Sequence, residues 1–350
     1  MEMRRLGKSD ILINPIGMGC WSFGGGDYWG RQDQDDVDNI VHKAIENGIN
    51  FFDTAEMYNE GKSEQSLGIA LKGIRSKVIV CSKISPSNAS SSRMKIHCEE
   101  SLKRLGTDYI DIYLLHWPIT PSSVRSFTND TEIIKNPPTT EEAFSALRDL
   151  QKEGKVRYTG ISNFGLNQMK EALNTGADII TNELPYNILS RAIEKEIMPF
   201  CISSDISVVC SMGLQQGLLA GIYNDPSEVP PKQARSRHFN NERGAGQSRH
   251  MGEGAETEVF EVIKSLKKIS YEQNISPAQL ALAWILSKPG IGCVLAGSRS
   301  IKELEDNLQA GAITLDKKLI EEIDYISEPV LKKLGFNPDY YENSENGRIF

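Results

Sequence analysis

The sequence predicts one α/β domain, a (β/α)8 TIM barrel with an N-terminal β-hairpin and extended strand-to-helix loops. Three observations lead there. Short apolar runs alternate with amphipathic helical patterns along almost the whole chain, with no linker between them. About eight of these runs are apolar on successive residues, as in strands buried on both faces. Three of them end in residues able to do chemistry: NFFD in Asp53, VIVCSK in Lys83 and IDIYLLH in His116. A barrel displays such strand ends on its C-terminal rim.

The elements follow in order. MRRLGKSDILIN reads as a hairpin, two short segments about a turn at Gly7 to Asp10, lying across the bottom of the barrel. Ile16 to Gly19 is the first strand. Gly17 and Gly19 loosely imitate the G-x-G-x-x-G phosphate-binding fingerprint, but the third glycine is missing and no helix starts there. The remaining reading is a strand that leaves Trp21 on the rim. From Asp35 to Asn47, Val37, Ile40, Val41, Ala44 and Ile45 fall at i, i+3, i+4, i+7 and i+8, and Gly48 stops the helix. The unit then repeats, with strands at 50–52, 78–82, 109–115, 156–160, 178–181, 207–210 and 292–295. Helices are expected at about 63–72, 91–104, 140–152, 165–174, 194–203, 276–286 and 301–310.

Two insertions lengthen the rim. Thr120 to Thr139 follows the His116 strand. Residues 222–254 follow the seventh strand and carry Lys232, Arg235, Arg237, His238, Arg243, Arg249 and His250 among several glycines. So long a connection without secondary structure is either functional or a plain solvated loop. The expectation is a mobile lid over the rim that closes on an anionic ligand.

The 350 residues are long enough for one large barrel spanning 1–350, burying roughly three-quarters of the unfolded surface. A net charge of -8 argues against nucleic acid or an anionic membrane as main partner. The six cysteines, 20, 81, 98, 201, 210 and 293, contain no C-x-x-C pair. They read as reduced core thiols of a cytoplasmic protein, and no metal site is expected. Met1 to Arg5 is basic but has no apolar segment behind it, unlike a signal peptide. The longest wholly apolar run, Leu280 to Leu286, is far short of the ~20 residues a membrane span needs. A soluble protein is expected, of oligomeric state unknown.

A free tyrosine, of pKa near ~10, is a reluctant proton donor or base at neutral pH. An ammonium close by favours the phenolate, so Lys83 is expected to make Tyr58 more acidic. A lysine sunk in a barrel mouth keeps its charge only beside a carboxylate, a role for Asp53. His116 can bond the substrate oxygen or pass a proton to Tyr58. Taken singly, each has a bland reading: a surface lysine, a core histidine, a capping aspartate, a packing tyrosine. Their joint occurrence at the ends of successive strands favours a site.

D-x-x-x-x-Y from Asp53 to Tyr58, the strand-ending Lys83 and LLHWP resemble the aldo-keto reductase superfamily. The resemblance covers nearly the whole chain, through GMGCWSFGG (Gly17 to Gly25), GISNF (Gly160 to Phe164) and GSRSIKELEDN (Gly297 to Asn307). It implies a catalytic tetrad of Asp53, Tyr58, Lys83 and His116, and NAD(P)(H)-dependent interconversion of carbonyl and alcohol with Tyr58 as general acid/base. It also implies cofactor contacts from Gly19, Cys20, Trp21 and Asp53, and from Ser162, Asn163 and Glu183 on the nicotinamide carboxamide. CSMGLQQGLLAG resembles the family's YSPL-x-x-GLL-x-G and adds Ser211, Met212, Gly213, Leu214, Gln216 and Gly217. Arg237, Gly297, Ser298, Arg299, Glu303, Asp306 and Asn307 complete the implied set.

The chain departs from the pattern at three places. Glu183 stands for the usual Gln, Ser211 for the aromatic that stacks on the nicotinamide, and Glu303 for the usual Gln or Arg. Ser300 to Glu303 is also a capping box, and Arg299 beside it can fork onto a phosphate. NADP is therefore the expected cofactor, with NAD the alternative that Glu303 opens. Trp21, Tyr58, His116 and Trp117 are the expected substrate contacts, Tyr28 and Trp29 being as readily explained by packing on one another. They suit a small polar carbonyl such as a sugar or polyol derivative. The alternative function is a nucleotide-binding, redox-sensing regulatory subunit with little turnover.

Overall fold

A computed structural model describes residues 2–343 and 347–349. The chain opens with β1 (Arg4–Arg5) and β2 (Leu12–Ile13), an antiparallel pair. β3 (Ile16–Gly19), β4 (Phe51–Asp53), β5 (Ile79–Ile84) and β6 (Ile110–Leu115) follow. β7 (Val156–Ser162), β8 (Ile179–Pro185), β9 (Ser207–Ser211) and β10 (Ile291–Ala296) complete the set. These last eight are parallel and close into a barrel in the order β10-β3-β4-β5-β6-β7-β8-β9. All eight expected strands are present, with ends displaced by a few residues at most.

Around the barrel run α1 (Gln34–Glu46), α2 (Lys62–Ala70), α3 (Ser91–Leu105), α4 (Pro121–Phe127), α5 (Thr131–Lys135) and α6 (Thr140–Lys152). α7 (Leu166–Asn174), α8 (Ile197–Ser203), α9 (Glu256–Gln273), α10 (Pro277–Leu286), α11 (Ile301–Gln309) and α12 (Lys317–Leu334) follow. The apolar stripe of α1, Val37, Ile40, Val41 and Ala44, is buried against the barrel as its spacing requires. Among the described residues, no helix is long and apolar enough to cross a membrane.

The core has two shells. The outer one lies between strands and helices. The inner one fills the barrel with Phe51, Cys81, Ile112, Leu114, Ile180, Val209, Cys293 and Leu295, and Leu6, Ile11 and Ile13 of the hairpin join it. The hairpin therefore stoppers the end at which the strands begin. Arg4 donates to Ile291 O at 2.8 Å, and Gly7 N to Ser207 Oγ at 2.7 Å. All six cysteines are buried free thiols.

Four helices stand where none was expected. α4 and α5 fill the first insertion, capped by Thr120 Oγ1 on Ser123 N and by Asp130 on Glu132 N. α9 buries Val259, Val262, Ile263, Leu266 and Ile269, and α12 buries Leu319, Ile323 and Val330. In all four the cap or spacing was present in the chain. The 222–254 stretch is not structureless either: it holds 3-10 turns at Pro226–Glu228 and Asn241–Gly244 and buries Val229, Ala234, His238 and Phe239. Lys232 Nζ ties it to Asp27 O at 2.7 Å, on the loop after β3.

Gly7 turns the hairpin at φ +54°, and a Cβ there would lie 2.1 Å from Ile180 O. Both the left-handed backbone and the close approach exclude a side chain. Gly7→Ala is expected to lower the unfolding free energy by at least about 2 kcal/mol in urea denaturation. An unchanged midpoint would show that the stopper contributes little.

Candidate active site

Parallel register sets the site. β4 lies between β3 and β5 so that Asp53 is level with Gly19 on one side and Cys81 on the other. Lys83, two residues beyond Cys81, then stands above Asp53 on the rim. Its side chain is fully buried, and its Nζ donates to Asp53 Oδ1 at 2.6 Å, Asp53 Oδ2 at 2.7 Å and Thr54 O at 2.9 Å. The same nitrogen is 3.3 Å from the Tyr58 hydroxyl and 3.3 Å from Glu183 Oε2. Burial opposes the charge, but Asp53 and then Glu183 outweigh it and lift the Lys83 pKa well above its usual value.

Tyr58 opens a 3-10 turn in which Asn59 and Glu60 take left-handed φ of 50° and 57°. Asn59 holds this turn from its side chain, donating to Trp21 O at 3.0 Å and Phe23 O at 2.7 Å. The Lys83 nitrogen lies 4.9 Å from the Tyr58 ring centroid, and the His116 ring stands edge-on to it at 5.7 Å. Burial raises the phenol's pKa; Lys83 lowers it, and Asp53 and Glu183 raise it again. The net direction is upward. Lys83 acts as expected, but the expectation of a more acidic Tyr58 fails because burial and two carboxyls outweigh one ammonium. The phenol is a protonated group, hence a donor.

His116 is 6% exposed, and its Nδ1 is buried without a hydrogen-bond partner. Burial, then Lys83 and Arg348, push its pKa well below the ordinary value, so the imidazole is neutral. Asn163, with a left-handed φ of 60°, donates from its side chain to His116 O at 3.0 Å and Ser162 Oγ at 2.9 Å. β7 and β8 place Ser162 level with Glu183, and Asn163 N donates to Glu183 O at 2.8 Å. These three side by side therefore adjoin the tetrad.

The aromatics gather over Tyr58. Trp21 lies 5.8 Å from it and stacks on Tyr28 at 5.1 Å, with Trp29 edge-on at 5.2 Å. Tyr28 donates to Gln216 Oε1 at 2.6 Å. Trp117 is buried beneath the Arg348 guanidinium, 3.6 Å from its ring centroid, and Arg348 forms a two-pronged pair with Asp339 at 2.9 and 2.8 Å. Phe127 of α4 lies 5.9 Å from His116.

The segment after β9 is irregular: Met212, Gln215 and Gln216 all have φ between 50° and 57°. Asn187 supports it, donating to Met212 O at 2.8 Å and Gln215 Oε1 at 2.7 Å. Gly213 packs so tightly that a Cβ would meet Val294 Cγ2 at 2.7 Å. Ser211 and Leu214 are partly buried, and Cys20 is fully buried. A Cβ on Gly19 would come within 3.6 Å of Gly297 N, so the rim ends of β3 and β10 run close together.

At the start of α11, Ser300 Oγ accepts from Glu303 N at 3.2 Å, but the Glu303 carboxylate turns to Arg299 N at 2.8 Å. Only one half of the expected capping box forms. The exposed Arg299 guanidinium reaches Gln32 Oε1 at 3.1 Å and Arg31 O at 2.8 Å. Asn307 donates to Ser298 Oγ at 3.2 Å.

Two residues are committed elsewhere. Asp306 accepts from Ser276 Oγ and Gln279 Nε2 and so secures the start of α10. Arg237 directs its guanidinium to the carbonyls of Leu334, Asn337 and Asp339. Its expected place against a cofactor is thus taken over by the C-terminal segment. A 30 Å³ cavity beside Leu189, His238 and Tyr340 and a wider groove beside Arg75 and Tyr109 both lie away from the tetrad.

Asn59, Thr54, Asn187 and Arg348 touch the site but are not among the expected residues. Each does so through a contact distant in sequence or through a backbone oxygen, for which the chain carries no local signal. The orphaned His116 Nδ1, Glu183 Oε2 and Gln215 Nε2 are polar atoms for which a nicotinamide nucleotide offers partners.

The sequence profile of the Aldo/keto reductase family matches residues 15–328. The NADH-specific methylglyoxal reductase of Escherichia coli is 30% identical over 336 residues, covering 90% of this chain and 95% of that protein. The aldo-keto reductase YhdN of Bacillus subtilis is 28% identical over 339 residues, 94% of each. Among solved structures, an aldo/keto reductase from Klebsiella pneumoniae in complex with NADP and acetate is 26% identical with a TM-score of 0.70, covering 94% of this chain and 96% of that one. With the barrel and the rim cluster, these matches place the chain in the aldo/keto reductase family.

Proposed function

We propose that the protein is an oxidoreductase that interconverts a carbonyl and an alcohol with NADP(H), Tyr58 being the general acid/base. The observation that carries this reading is the Lys83 ammonium, anchored by Asp53 at 2.6 and 2.7 Å and 3.3 Å from the Tyr58 hydroxyl. Ser162, Asn163 and Glu183 would hold the nicotinamide end, the 211–217 segment the middle, and Ser298, Arg299 and Asn307 the adenosine end. When bound, the nucleotide supplies the hydride.

The remaining steps belong to the chain. As charge grows on the substrate oxygen, the Tyr58 hydroxyl gives up its proton, and the fixed ammonium stabilises the phenolate that results. Asp53 keeps Lys83 charged and oriented throughout. The neutral His116 bonds the substrate oxygen, with Trp21 and Trp117 as the walls. Alcohol oxidation reverses the path. A small polar carbonyl is the substrate class, supported by the methylglyoxal reductase relative.

Arg299 favours NADP by its charge, whereas the Glu303 carboxylate beside it favours the bare hydroxyl of NAD. That carboxylate bonds Arg299 N and not the guanidinium, which stays exposed and without a carboxylate partner among the described residues, and this unneutralised charge supports NADP.

Tyr58→Phe is expected to keep NADPH affinity, read by fluorescence, while losing more than about tenfold (~1.4 kcal/mol) in aldehyde or sugar reduction. Binding by the wild type without turnover of any carbonyl would favour a sensor instead. Arg299→Ala is expected to weaken NADPH more than NADH; an equal loss would show that Arg299 does not read the phosphate. Lys83→Met is expected to cost roughly 3–5 kcal/mol of stability, and Asp53→Asn with Lys83→Met less, because the double variant leaves no unpaired charge. Chemical denaturation of the two decides this.

A further inference from the structure

Three strands bring ionisable groups to one point: Asp53 from β4, Lys83 from β5 and Glu183 from β8. None is more than 3% exposed. Two carboxyls thus face one ammonium, and they do not share it equally. Asp53 takes two hydrogen bonds at 2.6 and 2.7 Å, while Glu183 Oε2 stands 3.3 Å away and makes no hydrogen bond.

The other groups facing Glu183 supply no further cation. Tyr58 from its loop, Cys81 on β5, Cys210 on β9 and Cys293 on β10 all have pKa values pushed upward, so they are neutral. Arg348, beside His116, is paired with Asp339. Two buried carboxyls with one counter-charge retain one proton between them, and Glu183 is the member with the weaker hold on the ammonium. Burial and Asp53, against Lys83, hold its carboxyl well above the usual range.

Resting on the reading that a nicotinamide nucleotide is gripped by Ser162, Asn163 and Glu183, we propose that Glu183 makes the site distinguish the two redox states of that nucleotide through a proton. The oxidised ring is a cation and supplies the missing counter-charge; the reduced ring is neutral and does not. The balance is Glu183–COOH plus oxidised nucleotide giving Glu183–COO⁻ paired with the cationic ring, plus one H⁺ released to solvent. Reduced nucleotide binds with the acid intact and moves no proton. A glutamine at this position has no proton to exchange.

The test measures dissociation constants of NADP+ and NADPH on the purified wild type between about pH 6 and 9, together with calorimetry in two buffers of different ionisation enthalpy. Ionisation of the 2'-phosphate is common to both nucleotides and cancels in their ratio. The expected result is a rise in affinity for NADP+ relative to NADPH of up to about tenfold per pH unit, with up to about one proton more released on binding NADP+ than on binding NADPH. Glu183→Gln is expected to flatten the ratio and abolish that excess release, and Glu183→Asp to keep a slope. Parallel pH profiles in the wild type, or a slope that persists in Glu183→Gln, would overturn the proposal while leaving the nucleotide reading intact. Failure of either nucleotide to bind the wild type would overturn both.

Discussion

The site depends on a lysine that is charged where no water reaches it. An isolated ammonium at zero exposure would lose its proton, since the cost of burying an unpaired charge exceeds that of neutralising it. The two oxygens of Asp53 and the carbonyl of Thr54 remove that option by giving the three ammonium hydrogens fixed acceptors. Much of the rim follows from this. The backbone must bend after β4 to present Thr54 O, and Tyr58 must return over the nitrogen on a turn with two left-handed residues. Asn59 must hold that turn to the loop after β3.

The same cluster explains how a phenol pushed upward by burial remains useful. In the resting protein the proton stays on Tyr58, as the proposed role in carbonyl reduction requires. The ammonium matters most once the proton has left, when a phenolate 3.3 Å away would otherwise have no counter-charge. The neighbouring carboxyls set the size of that benefit, because each negative charge near Lys83 subtracts from the field felt at Tyr58. Retaining a proton on Glu183 preserves it.

Legibility in the chain followed the range of the interactions. The strands were visible because a barrel buries them on both faces, leaving unbroken runs such as VIVCSK. Asp53, Lys83 and His116 were visible because they end such runs. α9 and α12 were overlooked although Val259 to Ile269 and Leu319 to Val330 carry helical spacing; the stretches before and after the last recognised units were read only as connections. The departures at the site had another origin. Arg237 was expected at the cofactor as a basic residue of the 222–254 insertion, yet three carbonyls of the C-terminal segment claim it, and nothing local reports where that segment will lie. The direction of the Tyr58 shift likewise depended first on burial of the phenol at the closed barrel's rim, which the chain does not report locally.

Arg348 gives the fold a division of labour. The candidate reacting groups stand at the ends of β4, β5 and β6 and on the turn after β4, whose geometry the barrel's closure dictates. The residues behind Trp117 come from a late stretch of chain, held within itself by the Arg348–Asp339 pair and tied to the rest by Gln168 Nε2 on Arg348 O and by Arg237 on the carbonyls of Asn337 and Asp339. Its position depends on α7 and on the 222–254 loop, both outside the barrel strands. What stands beside Trp117 is therefore decided by chain outside the barrel strands, while the Asp53–Lys83 pair beneath is fixed by strand register.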